Sequence, residues 1–219
     1  MRSTVATLLF WSLPLMAPER PPQILQIYRD PLTAGREESF DAVEKDAARV
    51  CARLGFPNPH LAIESLSGPK EVWWLNAFVS EADRVRVSAE YARNSALAAA
   101  LDDIAKRKEG LTGIPVNILT AYRMDLSRGV VWRAAGARFV VVTMTRQDVQ
   151  VDASVFEASD GSRYILRPVR TREEADQAAA ASGPGTTIFA VRPHWGMAAR
   201  EWVAADAQFW SVNPMAGAR

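Results

Sequence analysis

The sequence predicts an α+β fold made of two tandem ferredoxin-like units, antiparallel sheets with helices on one face. Three observations carry that expectation. The order strand, long helix, strand, strand, helix, strand runs from Ile24 to Arg123, which is the split βαβ arrangement. A shortened copy of the same order runs from Arg138 to Arg192. The chain has 219 residues, 48% of them hydrophobic, enough for a sizeable core. Two such units facing one another would enclose a small apolar cavity.

Residues 1–17 read as a signal peptide: Arg2 is a positive start, Val5 to Met16 is uncharged and mostly apolar, and Ala17 is a small residue before a cleavage point. The apolar stretch is shorter than the ~20 residues a membrane span needs, so export to the periplasm or beyond is expected rather than anchoring; without cleavage the chain would be cytoplasmic. Residues 18–23 form an extended, proline-rich leader. The first unit, 24–126, opens with the β-like run Ile24 to Tyr28. Glu37 to Leu54 comes next as an amphipathic helix closed by Gly55 and Pro57, with Phe40, Val43, Ala47, Val50, Cys51 and Leu54 on its apolar stripe.

His60 to Leu66 and Glu71 to Val79 flank the polar turn Ser67 to Lys70 and read as a hairpin. Ser80 caps the next helix, whose face is expected to be Val85, Ala89, Ala92, Ala96, Ala100 and Ile104, with Asn94 and Ser95 placed to loosen or break it midway. Val116 to Arg123 is the fourth strand. Residues 127–137 are a connector rich in Arg and Gly.

The second unit, 138–193, starts with the strand Phe139 to Thr145, but Gln147 to Gln150 is too short for a helix. Val151 to Ala158 and Arg163 to Val169 flank an Asp160-Gly161 hairpin signal. Thr171 caps a helix over Arg172 to Ala181, and Thr187 to Val191 is the last strand. A sheet lacking one helix leaves apolar surface wet, at a cost of about 25 cal/mol per Å². Trp195, Ala199, Trp202, Ala205 and Phe209 in the tail, 194–219, recur at helical spacing, so a C-terminal helix packed on the second unit, or a second copy in a homodimer, is the expected cover.

Composition excludes several classes. The net charge of +1 is spread along the chain, with no basic stripe for nucleic acid. The single cysteine, Cys51, precludes an internal disulfide and lies on the apolar stripe, where a thiol is inert. His60 and His194 have no ligand-spaced companions, so no metal site and no cofactor are predicted.

LQIYR (Leu25 to Arg29), GPKEVWWL (Gly68 to Leu75), LTAYR (Leu119 to Arg123) and the closing segment Phe189 to Trp210, ending EWVAADAQFW, resemble uncharacterised bacterial proteins of the dimeric α/β-barrel superfamily. These are related to NIPSNAP-like and antibiotic biosynthesis monooxygenase-like domains, and the resemblance covers most of Gln23 to Pro214. It implies a barrel fold and a range of activities, from oxygenases to proteins with no chemistry.

The candidate binding residues lie in the first unit. Gln26, Tyr28, Trp74, Asn76 and Tyr122 are expected to line a barrel cavity, a few polar groups in an aromatic wall. The expected function is binding of a small apolar or aromatic molecule; the alternatives are a cofactor-independent monooxygenase-like enzyme and a non-catalytic interaction module. Arg29 and Arg123 end neighbouring strands, and nearby Asp30 and Asp125 are expected to neutralise them.

Overall fold

The computed structural model describes residues 20–128, 132 and 134–217. The expected signal peptide (1–17), the start of the leader and part of the connector lie outside the described residues. In chain order the elements are β1 (Ile24–Pro31), α1 (Glu37–Leu54), β2 (His60–Ser65), β3 (Glu71–Phe78), α2 (Glu81–Arg93), α3 (Ser95–Arg107), β4 (Val116–Tyr122), β5 (Phe139–Thr145), β6 (Ser154–Ala158), β7 (Arg163–Val169), α4 (Arg172–Ser182), β8 (Thr186–Val191) and α5 (Arg200–Ala205).

The eight strands close into one antiparallel barrel, β1-β3-β2-β8-β5-β7-β6-β4, with β4 paired back to β1. The first four strands stand in the order β4-β1-β3-β2 and the last four in the matching order β8-β5-β7-β6. Two seams join them. At one, β2 meets β8 through Ile63, Glu64 and Ser65; at the other, β4 meets β6 through Thr120, Ala121 and Tyr122.

The two-residue period of a strand sorts side chains to the two faces of the barrel wall. Leu25 and Ile27 point inward with Ile63, Trp73, Phe156, Leu166 and Phe189, and this interior is filled by apolar side chains. Trp132 and Ala134 from the connector, and Ala199, Trp202 and Trp210 from the tail, continue the same core.

The tail departs from expectation. Only six of its residues form α5, and the rest runs through short 3-10 turns. Trp195 packs on Phe40 and Trp74, outside the first half of the barrel, and Met197 joins Cys51 and Leu97. The outer face of the second half is covered by other means. Leu126, Val149 and Val151 lie against Val155 and Ile165, while α4 covers Val141 and Ile188 with Ala175. The short loop suffices because Val151 N–H donates to Leu126 O and Arg128 N–H to Val151 O, tying two chain segments into one apolar cover.

The helix after β3 is broken, as the sequence hinted. Asn94 ends α2 and caps α3, accepting from Leu97 N–H at 3.0 Å and donating through Nδ2 to Leu54 O at 2.8 Å. The buried face matches the expected one only at Ile104: Val85 is exposed, and Val87 and Leu97 face the core instead. The break resets the helical phase, so a stripe extrapolated through residue 94 is misplaced.

Candidate functional site

The outer face of β1, β3 and β2 is the floor of a cavity of about 820 Å³, roofed by α1, α2 and α3. Its existence stems from the roof's side chains. Helix α2 sends a single residue, Val87, into the core, and Ala92, Ala98 and Ala105 line the space with methyl groups too small to fill it. On the opposite wall α1 contributes Ala47, Ala48 and Cys51.

The floor is built by strand register. Gln26, Asn76 and His60 lie directly opposite one another across β1, β3 and β2, and Tyr28, Trp74 and Ala62 form the next row. Tyr28 meets Trp74 edge to face at 5.9 Å, Trp74 meets Phe40 at 6.3 Å, and Phe40 meets Trp195 at 5.6 Å. At the other end Phe56 stands against His60 and Tyr91 at 4.9 and 5.0 Å. Aromatic walls with few polar groups suit a small organic ligand.

The histidine is held in a defined state. His60 Nδ1 lies 3.4 Å from Asn58 O, so Nδ1 is the protonated nitrogen of the neutral ring and Nε2 keeps its lone pair. Burial pushes its pKa down to about 4, and the ring is neutral at pH 7. Burial also pushes the Cys51 thiol up to about 12, which keeps it an unreactive apolar wall group.

A charged corner closes one end. Lys108 donates to Asp30 and lies 2.8 Å from Glu44 Oε1, with its ammonium 4.6 Å from the Trp74 ring and 5.2 Å from the Phe40 ring. Asp30 is 1% exposed and Glu44 4%. Glu44 Oε1 is close to Lys108 but off the alignment of a hydrogen bond, so it is a buried oxygen with a charge partner and no aligned donor. Burial raises the Glu44 pKa, and Lys108 opposes this only in part. For Lys108, burial alone would favour the neutral amine, but the two carboxylates more than reverse it and hold the ammonium charged. Tyr28 is raised by burial and then by Asp30.

Four of the five expected site residues, Gln26, Tyr28, Trp74 and Asn76, line this cavity. It lies outside the barrel wall, not within it. Tyr122 does not belong: it points inward and packs on Phe156 at 5.6 Å, because it sits an odd number of residues from Leu119, which faces out beside Gln26. The sequence patterns did not point to Glu44, His60, Tyr91 or Lys108 as cavity residues. Glu44 carried a visible signal, an acid in the middle of an apolar stripe between Phe40 and Ala47. The arginines are neutralised, but Arg29 by Glu71 at 2.8 Å rather than by Asp30; Arg123 pairs with Asp125 at 2.7 Å and with Glu157.

Among the described residues no group of three His, Cys, Asp or Glu side chains is placed to hold a metal, and no helix is long and apolar enough to cross a membrane. No protein-family model matches the sequence, and no curated protein matches it. Two solved structures align with most of the chain. A Fusobacterium nucleatum protein provisionally named a monooxygenase has a TM-score of 0.48 at 8% identity, covering 81% of this chain and 94% of its own. A Lactobacillus acidophilus protein, also provisionally named a monooxygenase, has a TM-score of 0.40 at 9% identity, covering 85% and 88%.

Proposed function

We propose that the protein binds a small, largely apolar or aromatic molecule in the cavity between the outer face of β1, β3 and β2 and the helices α1 to α3. The observation that carries this reading is the cavity itself: about 820 Å³ walled by Trp74, Tyr28, Phe56 and Tyr91, with a short row of polar side chains on its floor. The reading includes a division into two tandem ferredoxin-like units in one chain, supported by the matching strand orders of the two halves, and an exported location, supported by the character of residues 1–17.

Native mass spectrometry of the protein purified from its own host tests it. A retained organic molecule, lost in a Tyr28→Phe, Asn76→Ala double variant that melts within a few degrees of the parent, is the expected result. A ligand that survives that variant would place the site elsewhere.

A cofactor-independent monooxygenase-like enzyme is the second reading, favoured by His60. Its neutral ring, with Nδ1 turned to Asn58 O, can accept a hydrogen bond at Nε2 from a bound hydroxyl and orient it. A phenol would then react with O2 to give a quinone and water, one oxygen atom entering the ring and two hydrogens leaving in the water. Oxygen uptake with the retained ligand, absent in His60→Gln, checks it.

A further inference from the structure

The polar row on the cavity floor narrows the class of molecule the cavity would take, and the assignment rests on that cavity being a binding site. His60 is 6% exposed and lines the space. Among the described residues the only hydrogen-bond partner of its ring is Asn58 O, on Nδ1; Nε2 is not enclosed by protein, and its lone pair opens on the cavity. Burial keeps the ring neutral at pH 7, so Nε2 accepts and does not donate. The backbone beneath the ring is pinned: His60 N–H donates to Met197 O at 2.9 Å, and Met197 N–H donates to His60 O at 3.1 Å. Gly196 permits that approach, since a Cβ there would lie 2.8 Å from His60 O.

Asn58 sets the next group in the row as well. It is 7% exposed, and while its carbonyl takes the His60 Nδ1–H, its Nδ2 donates to Asn76 Oδ1 at 3.5 Å. The Asn76 amide N–H groups are thereby left without a partner among the described residues, on a residue that lines the cavity. Gln26 donates from Nε2 to Asn117 Oδ1 at 3.0 Å, which leaves its Oε1 as an acceptor. Across β2, β3 and β1 the floor therefore reads acceptor, donor, acceptor, at the strand spacing of about 4.8 Å. A ligand ammonium would leave the Asn76 donor without an acceptor, and a carboxylate would face two lone pairs. A plain hydrocarbon would bury all three groups unpaired.

We infer that the cavity selects an uncharged hydroxy-carbonyl compound. Its hydroxyl donates to His60 Nε2, its carbonyl accepts from the Asn76 amide one strand spacing away, and its apolar body lies on the Trp74 and Tyr91 walls. The ligand class follows from a buried acceptor and an adjacent free donor, both set by their bonds to Asn58.

Isothermal titration at pH 7 with 3-hydroxyacetophenone, 3-methoxyacetophenone, 3-ethylphenol and 3-hydroxybenzoate tests it. The first carries both groups in a meta arrangement, the second lacks the donor, the third lacks the carbonyl and the fourth is an anion. 3-Hydroxyacetophenone is expected to bind about tenfold more tightly than the second and third, because each leaves one floor group unpaired, and 3-hydroxybenzoate is expected to bind weakest. His60→Phe should bring the two ketones to equal affinity while keeping the hydroxyketone's advantage over 3-ethylphenol. Asn76→Leu should do the reverse, and where either variant fails to fold, the other and the ligand series on the parent protein decide. Equal binding of the hydroxyketone and either uncharged analogue to the parent, a preference for 3-hydroxybenzoate, or a hydroxyl preference that survives His60→Phe would overturn the assignment while leaving the cavity reading in place. No binding of any of the four would overturn both.

Discussion

His60 shows how much one buried side chain can set. It is 6% exposed on β2, its pKa is held near 4 by burial, and an unfolded chain would return it to about 6.5. Between those values the unfolded state binds a proton that the folded state refuses, so stability falls as pH drops through that window. The loss between pH 7 and pH 5 is about 2 kcal/mol from this residue. Urea unfolding of the parent and of His60→Gln at the two pH values should show the parent losing that amount more than the variant. Equal losses would mean that His60 is solvated. The same residue illustrates the limit of local patterns: two isolated histidines give no motif, and only the packing of Phe56 and the Asn58 carbonyl gives this one a fixed tautomer. Glu44 and Lys108 are alike in this respect, since their sequence separation of a whole helix pair conceals a contact made in space.

At the scale of elements, the register of β1 on β3 does most to build the site. It aligns Gln26 with Asn76 and Tyr28 with Trp74, and a slip of β1 by one residue would turn Gln26 and Tyr28 into the barrel. Above them, the break at Asn94 sets the roof. Its Nδ2 to Leu54 O bond ties the break to the end of α1, and its Oδ1 caps α3. Asn94→Ala removes both and is expected to cost about 1–2 kcal/mol, with faster amide exchange in α2, which is held down by the buried Val87 and the half-buried Tyr91. Unchanged exchange in α2 would show that the helix is held by other contacts. The boundaries of α1, β5 and β7 were legible to the residue, because Gly55, the Asp160-Gly161 turn and uninterrupted β-branched runs mark them locally. The tail was not. Its tryptophans recur at helical spacing, yet they serve two separate clusters, Trp195 outside the barrel wall and Trp202 with Trp210 in the interior core.

For the whole molecule, closure is the governing event. Each half presents two edge strands, and the seams β2 with β8 and β4 with β6 satisfy all four while burying the inner faces against each other. Residues 20–126 alone would expose both edges and an inner face that includes Ile27, Ile63 and Trp73. That fragment is therefore expected to self-associate or aggregate in size-exclusion chromatography. A monomer with native near-ultraviolet circular dichroism would show that the first half folds independently of its partner.

The sequence by itself determined the mixed α+β class, the order and approximate limits of the strands and principal helices, and four residues of the cavity floor, because these depend on periodicity, caps and turn chemistry acting over a few residues. Tertiary structure alone decided which side of the wall the cavity lies on, that Tyr122 belongs to the interior, how the tail divides, and that Glu44, Asp30 and Lys108 meet. Those outcomes depend on strand pairing and on the closing of one sheet over another, which bring together groups up to 154 residues apart through contacts that no local pattern encodes.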